Sequence, residues 1–198
     1  EVSAGKTDAN RRILVMLNGH GVNEPWSSFA GIGREMLVPL DLVERIEIVY
    51  GPSSLLYGGY SLYGIVNLVT RTGGTLAGKR VRLTAGTQRT GEAIASYGRS
   101  GVTGGDEGGG TEWSLLAAAG MYSTEGEDLH LERVDVGYPV ALDGSTVWGG
   151  PQSGTDYARA PFGFVHARRG DLSLMGRWGY RRRGAPFAPY GGPAWTVF

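Results

Sequence analysis

The 198 residues are enough for one domain or slightly more, and 19 basic against 19 acidic side chains leave no net charge. That balance argues against a dedicated nucleic-acid binder, which is usually basic. The lack of cysteine excludes disulfide scaffolds, thiolate metal sites and cysteine nucleophiles. The chain carries 35 glycines without a collagen period, beside 10 tyrosines and 5 tryptophans. Such a composition points to many short β elements joined by turns.

Ile13-Leu14-Val15-Met16-Leu17 reads as a short buried strand stopped by the turn dipeptide Asn18-Gly19. Residues 20–35, with Gly21, Pro25, Gly31 and Gly33, read as a loop. Pro39 opens a helical turn over Leu40-Asp41-Leu42-Val43. Arg45-Ile46-Glu47-Ile48-Val49 alternates as a strand ended by Gly51-Pro52, with the apolar face expected toward the core. Ser53 or Ser54 can cap a short helix through Tyr57, closed by Gly58-Gly59. A strand over residues 65–70 and a turn at Gly73-Gly74 complete a small α+β unit.

Beyond residue 75 the pattern changes to glycine-punctuated alternation. Strands are expected near 79–87, 91–99, 111–122, 157–168 and 171–182. Leu172, Leu174, Gly176, Trp178 and Tyr180 share one face of the last of these, against Ser173, Met175, Arg177, Gly179 and Arg181 on the other. The third strand fits less well, being apolar on both faces near Leu116. A soluble sandwich strand gives the same alternation. Aromatics near strand ends (Trp113, Tyr122, Trp178, Tyr180) favour a membrane wall instead. So does the contrast between the tight turn at 169–171 and the long polar connection over 123–156. No run of about 18 apolar residues offers a transmembrane helix.

Charge is segregated along the chain. Residues 101–135 hold eight acidic groups and one Arg, whereas residues 159–183 hold seven Arg and one Asp. Arg181, Arg182 and Arg183 form a candidate anion patch, the alternative being solvated charge. His20, His130 and His166 lack metal-ligand spacing, so no metal or cofactor is expected. Gly51 to Gly58 lacks the Lys-Ser/Thr pair of a phosphate loop, and Ser53 and Ser54 lack a nucleophile elbow. No catalytic constellation emerges, and no enzyme activity is expected.

The ordered series Pro39 to Gly58, containing Glu44-Arg45-Ile46-Glu47-Ile48 and Gly51-Pro52-Ser53-Ser54-Leu55-Leu56-Tyr57-Gly58, is followed by Gly64-Ile65-Val66-Asn67-Leu68-Val69-Thr70. Together these closely resemble the plug domain of TonB-dependent outer-membrane receptors. Ile13 to Gly19 with Val22-Asn23 resembles the strand and turn before that plug's apical loop, so the likeness spans roughly residues 12–74. Asn18 stands where the family often has Asp, Tyr50 where Arg is common, and Tyr63-Gly64 where Gly-Gly is frequent.

The resemblance implies an α+β plug fragment over residues 1–74, then antiparallel transmembrane β-barrel strands over 75–198. That is a mainly β chain with five of about 22 strands of a plugged barrel. It implies an outer-membrane location and energised uptake of a scarce ligand of the siderophore, cobalamin or glycan class. A TonB-type energising protein would be the partner, its contact segment expected to lie outside these residues. Arg45, Glu47, Gly51, Pro52, Tyr57, Gly58 and Asn67 are the matching plug-motif positions, and Asn23, Trp26, Ser28 and Phe29 the candidate ligand contacts. A soluble β-rich carbohydrate- or ligand-binding module is the alternative reading.

Overall fold

The computed structural model describes residues 12–25, 28–31, 33–51, 54–58, 60–104, 110–135, 137 and 146–184. The β-structure is mostly antiparallel, with few and short helices. The chain divides into two compact units. One holds Glu1–Lys79, Tyr97–Ala117 and Phe164–Arg177, and the other Arg80–Ser96, Ala118–Gly163 and Trp178–Phe198.

The first sheet contains β1 (Ile13–Leu17), β2 (His20–Gly21), β3 (Val43–Tyr50) and β4 (Gly64–Thr70), in the order β2-β1-β4-β3. β1 runs parallel to β4, whereas β3 pairs antiparallel with β4 through a bulge between Val43 and Arg45. β1 is an unbroken apolar run because it is an inner strand, and Leu14, Val15 and Leu17 are all buried. Ile65 and Leu68 of β4 join that core, with Ala30, Met36, Val38 and Leu42 from the connection between β2 and β3. That connection contains two 3-10 turns, Gly33–Met36 and Leu40–Leu42.

β3 departs from expectation. It lies at the sheet edge, and Ile46 and Ile48 are about half exposed, so its alternation does not reflect a face buried within this sheet. The short helix α1 (Ser54–Tyr57) falls where a short helix through Tyr57 was expected. A second one-turn helix, α2 (Gly73–Leu76), replaces the expected glycine turn. Thr72 Oγ1 accepts the Thr75 N–H at 3.1 Å while Thr75 Oγ1 accepts the Thr72 N–H at 2.8 Å, a reciprocal cap that glycine content alone conceals.

The second sheet is built from β5 (Gly78–Ala85), β6 (Gly91–Thr103), β7 (Thr111–Thr124), β10 (Ala158–Arg169) and β11 (Leu172–Gly179). Its order is β11-β10-β7-β6-β5, with the short β12 (Arg182–Arg183) also pairing with β10. These strands fall close to the five expected positions. The long polar connection is not structureless: β8 (Leu129–Asp135) and β9 (Val147–Gln152) pair antiparallel within it.

Candidate functional site

Asn23 braces the loop after β2. Its Oδ1 accepts the Val15 N–H at 2.8 Å, and its Nδ2 donates to the carbonyls of Ile13 and Ser28, both at 3.0 Å. The loop closes on itself where the Glu24 N–H meets the Phe29 carbonyl and the Ser28 N–H meets the Glu24 carbonyl, each at 2.8 Å. Ser28 adopts φ +59 to make that closure. Phe29 is half-buried beside it. Trp26 lies outside the described residues.

The motif residues of β3 and β4 form a chain of polar contacts. Arg45 Nε donates to Glu47 Oε1 at 2.8 Å, and Asn67 Nδ2 donates to Glu47 Oε2 at 2.9 Å. The Oδ1 of Asn67 in turn accepts the Gly19 N–H at 3.0 Å, tying the turn after β1 to β4. The Asn67 bond, then the Arg45 bond, hold the Glu47 carboxyl below its usual range. Gly51, at φ +99, donates its N–H to the Tyr63 carbonyl, and Gly58, at φ +85, receives both the N–H and the hydroxyl of Ser61. Both glycines hold left-handed turns that a side chain would strain. Tyr57 ends α1, half exposed. Pro52 lies outside the described residues.

The contacts of the first sheet with strands of the second, within one compact unit, were not read from sequence. Asn18 Oδ1 accepts the Thr70 N–H at 2.8 Å, and its Nδ2 donates to Thr70 Oγ1 at 2.9 Å and to Met175 Sδ at 3.5 Å. Thr70 Oγ1 also lies 3.5 Å from His166 Nδ1, while His166 Nε2 lies 3.1 Å from Ser173 Oγ. Arg177 Nη1 donates to the Met36 carbonyl at 3.0 Å. Met175 and Arg177 share one face of β11 and meet Asn18 after β1 and the Met36 carbonyl before β3, while Ser173 on the same face bonds His166 of the neighbouring β10. The other face carries Leu172 at 72% and Leu174 at 66% exposed.

The linker at α2 fits against the same face. The Gly73 N–H donates to Ser114 Oγ at 2.8 Å, and a side chain at Gly73 would strike the carbonyls of Arg99 and Leu115. Leu116, two residues on from Ser114, is wholly buried. This is why β7 reads as apolar on both faces.

The arginine patch divides. Ala158 pairs with Arg183, and both line a cleft of about 360 Å³ with Arg181, Tyr122, Thr124, Glu127 and Asp156. Arg182 pairs instead with Arg159 and lies 5.9 Å from the centre of the Tyr157 ring. The cleft therefore carries both signs of charge, and Arg182 belongs to another face. Among the described residues no cluster of three acidic or histidine side chains could hold a metal. No helix there is long and apolar enough to cross a membrane.

Residues 4–65 match the family described as TonB-dependent Receptor Plug Domain. The chain is 29% identical over 129 residues to the vitamin B12 transporter BtuB of Vibrio vulnificus, covering 65% of this chain and 19% of that protein. It is 34% identical over 67 residues to the iron-regulated outer membrane virulence protein of Vibrio cholerae, covering 34% of this chain and 9% of that protein. The chain thus spans a fifth or less of these relatives.

Proposed function

Because residues 4–65 match the TonB-dependent receptor plug domain, and the relatives are a vitamin B12 transporter and an iron-regulated outer membrane virulence protein, we propose that the whole protein is an outer-membrane transporter driven by a TonB-type partner. In this reading residues 1–74 are the C-terminal part of the plug. Residues 75–198 begin a barrel of about 22 strands, the number that leaves a plugged lumen. The bond pair between Asn18 and Thr70, extended to Met175 and His166, carries the proposal. It is the kind of wall contact that a plug inside a barrel needs, since buried polar groups there must find partners.

No covalent step is assigned. The receptor binds a scarce ligand, and force on the plug opens its path. The loop with Asn23, Trp26, Ser28 and Phe29 presents itself to the ligand, Asn23 by holding the loop to β1. The cleft beside Arg181 and Arg183 supplies a second polar surface. Cobalamin is the first ligand to test, because the relative with the longer match is a vitamin B12 transporter. Ferric siderophores and glycans follow.

Cells producing the full-length protein should accumulate labelled cyanocobalamin, or one ligand of a ferric siderophore and glycan panel. Collapse of the proton gradient should abolish that accumulation. Accumulation that ignores the gradient, or a full-length protein that is monomeric in water without detergent, overturns the proposal. The second result would favour a soluble binding module.

A further inference from the structure

Arg159 and Arg182 stand directly opposite each other in the antiparallel pairing of β10 with β12. The bond from the Tyr180 N–H to the Pro161 carbonyl, at 3.1 Å, keeps the same register two residues along. Directly opposite residues share a face with Cβ atoms about 4.5–5.5 Å apart, and like charges so placed repel. Two guanidinium groups therefore leave one face side by side. Neither forms an ion pair among the described residues, and the near neighbour of Arg182 is the Tyr157 ring. Paired guanidinium groups on one face favour an anion between them.

The face and the end of the strand say which anion. Ala158 and Arg183, the adjacent pair, turn toward the cleft, so Arg159 and Arg182 turn away from it. Trp178 and Tyr180, both exposed, alternate with Arg182 and precede it on the same face. An aromatic pair followed by arginine is the order expected where a wall passes from hydrocarbon to headgroups. β10 leaves the long connection at this end and enters the tight turn Arg169-Gly170-Asp171 at the other. In outer-membrane barrels the long connections are extracellular.

We propose that Arg159 and Arg182, with Tyr157 fixing the second, clasp a phosphate of an outer-leaflet glycolipid on the lipid-facing wall. Guanidinium groups suit this task because their planar donors meet phosphate oxygens in pairs. The site rests on the outer-membrane reading but not on ligand uptake. It differs from the cleft of Arg181 and Arg183, with which it shares only Tyr157.

The full-length protein should be placed in phosphatidylcholine nanodiscs doped with bisphosphorylated lipid A, and the retained lipid counted by native mass spectrometry. Wild type should retain roughly tenfold or more lipid than the R159Q/R182Q double variant, given two lost surface cations. The R159K/R182K double variant, which keeps the charge, should recover much of the binding and shows that the wall still folds. Dephosphorylated lipid A should be retained by wild type no better than by the glutamine variant. Equal retention by wild type and the glutamine variant, or equal retention of dephosphorylated lipid, overturns the site. Displacement of lipid A by millimolar inorganic phosphate also overturns it, in favour of a free-anion site. A wild type that accumulates no cobalamin, siderophore or glycan fails the transport proposal and leaves this result standing.

Discussion

Gly98 lies directly beneath Leu76. A Cβ at Gly98 would stand 2.6 Å from the Leu76 Cβ and 2.8 Å from the Gly73 carbonyl oxygen. The absence of a side chain at Gly98 is thus what lets α2 seat against β6. Gly98→Ala should lower the stability of the full-length protein in detergent by about 1–3 kcal/mol, the usual cost of overpacking. Gly163→Ala, where nothing lies within 4 Å, is the matched control. Equal thermal midpoints for the two variants would count against this seating.

Asn18 serves a threonine that has little access to water, since Thr70 is only 2% exposed. Asn18→Ala leaves the Thr70 N–H without its acceptor, at a cost of about 1–3 kcal/mol. Asn18→Asp keeps that acceptor and tolerates the φ of +50 at this position. Its Oδ atoms can also receive the Thr70 hydroxyl. Denaturant unfolding should therefore rank wild type and the Asp variant well above the Ala variant.

Glu47 gives the first sheet an acid-side dependence. Its carboxyl is held below the ordinary value of 4.5 by Asn67 and then Arg45. A carboxyl depressed on folding adds stability that is full above its unfolded value and vanishes as pH falls through the folded one. Glu47→Gln should therefore differ from wild type at neutral pH and converge with it in acid. A constant difference from pH 7 to pH 3 would show that the pairing with Asn67 and Arg45 is not the source.

Ala77 closes α2 in the left-handed region at φ +46. Glycine adopts that conformation without the Cβ penalty. Ala77→Gly should raise stability by about 0.5–1 kcal/mol, offset in part by the freer unfolded chain. Thr72→Ala, which removes the cap at the other end, should lower it by about 0.5–2 kcal/mol. Opposite shifts in thermal midpoint for these two variants are the expected pattern.

Strand positions were legible because their signals are local. The apolar run of β1 and the alternation of β11 follow directly from which faces are covered, and both elements stand where the residues place them. The one-turn helix at Gly73 was hidden, because its cap depends on two threonine hydroxyls while its glycines spoke for a turn. His166 gave no signal as a lone histidine. Its relation to Thr70 crosses 96 positions of sequence, and spacing cannot reveal that. Asn23 was legible as important but not in kind, since its amide is occupied by backbone groups rather than held open. The arginine triplet was legible as charge but not in direction, since Arg181 and Arg183 line the cleft while Arg182 pairs with Arg159.

The parallel pairing of β1 with β4 also bears on the order of assembly. Partners from Ile13 with Gly64 to Leu17 with Leu68 are about fifty residues apart, so closing them costs more chain entropy than the nearer β3–β4 pairing. β4 must emerge from the ribosome and meet β3 before β1 has a surface on which to dock. Among β1, β3 and β4, the strand made earliest is thus the one that docks last. Until then its five apolar residues stay exposed, and exposed apolar strands are prone to aggregate.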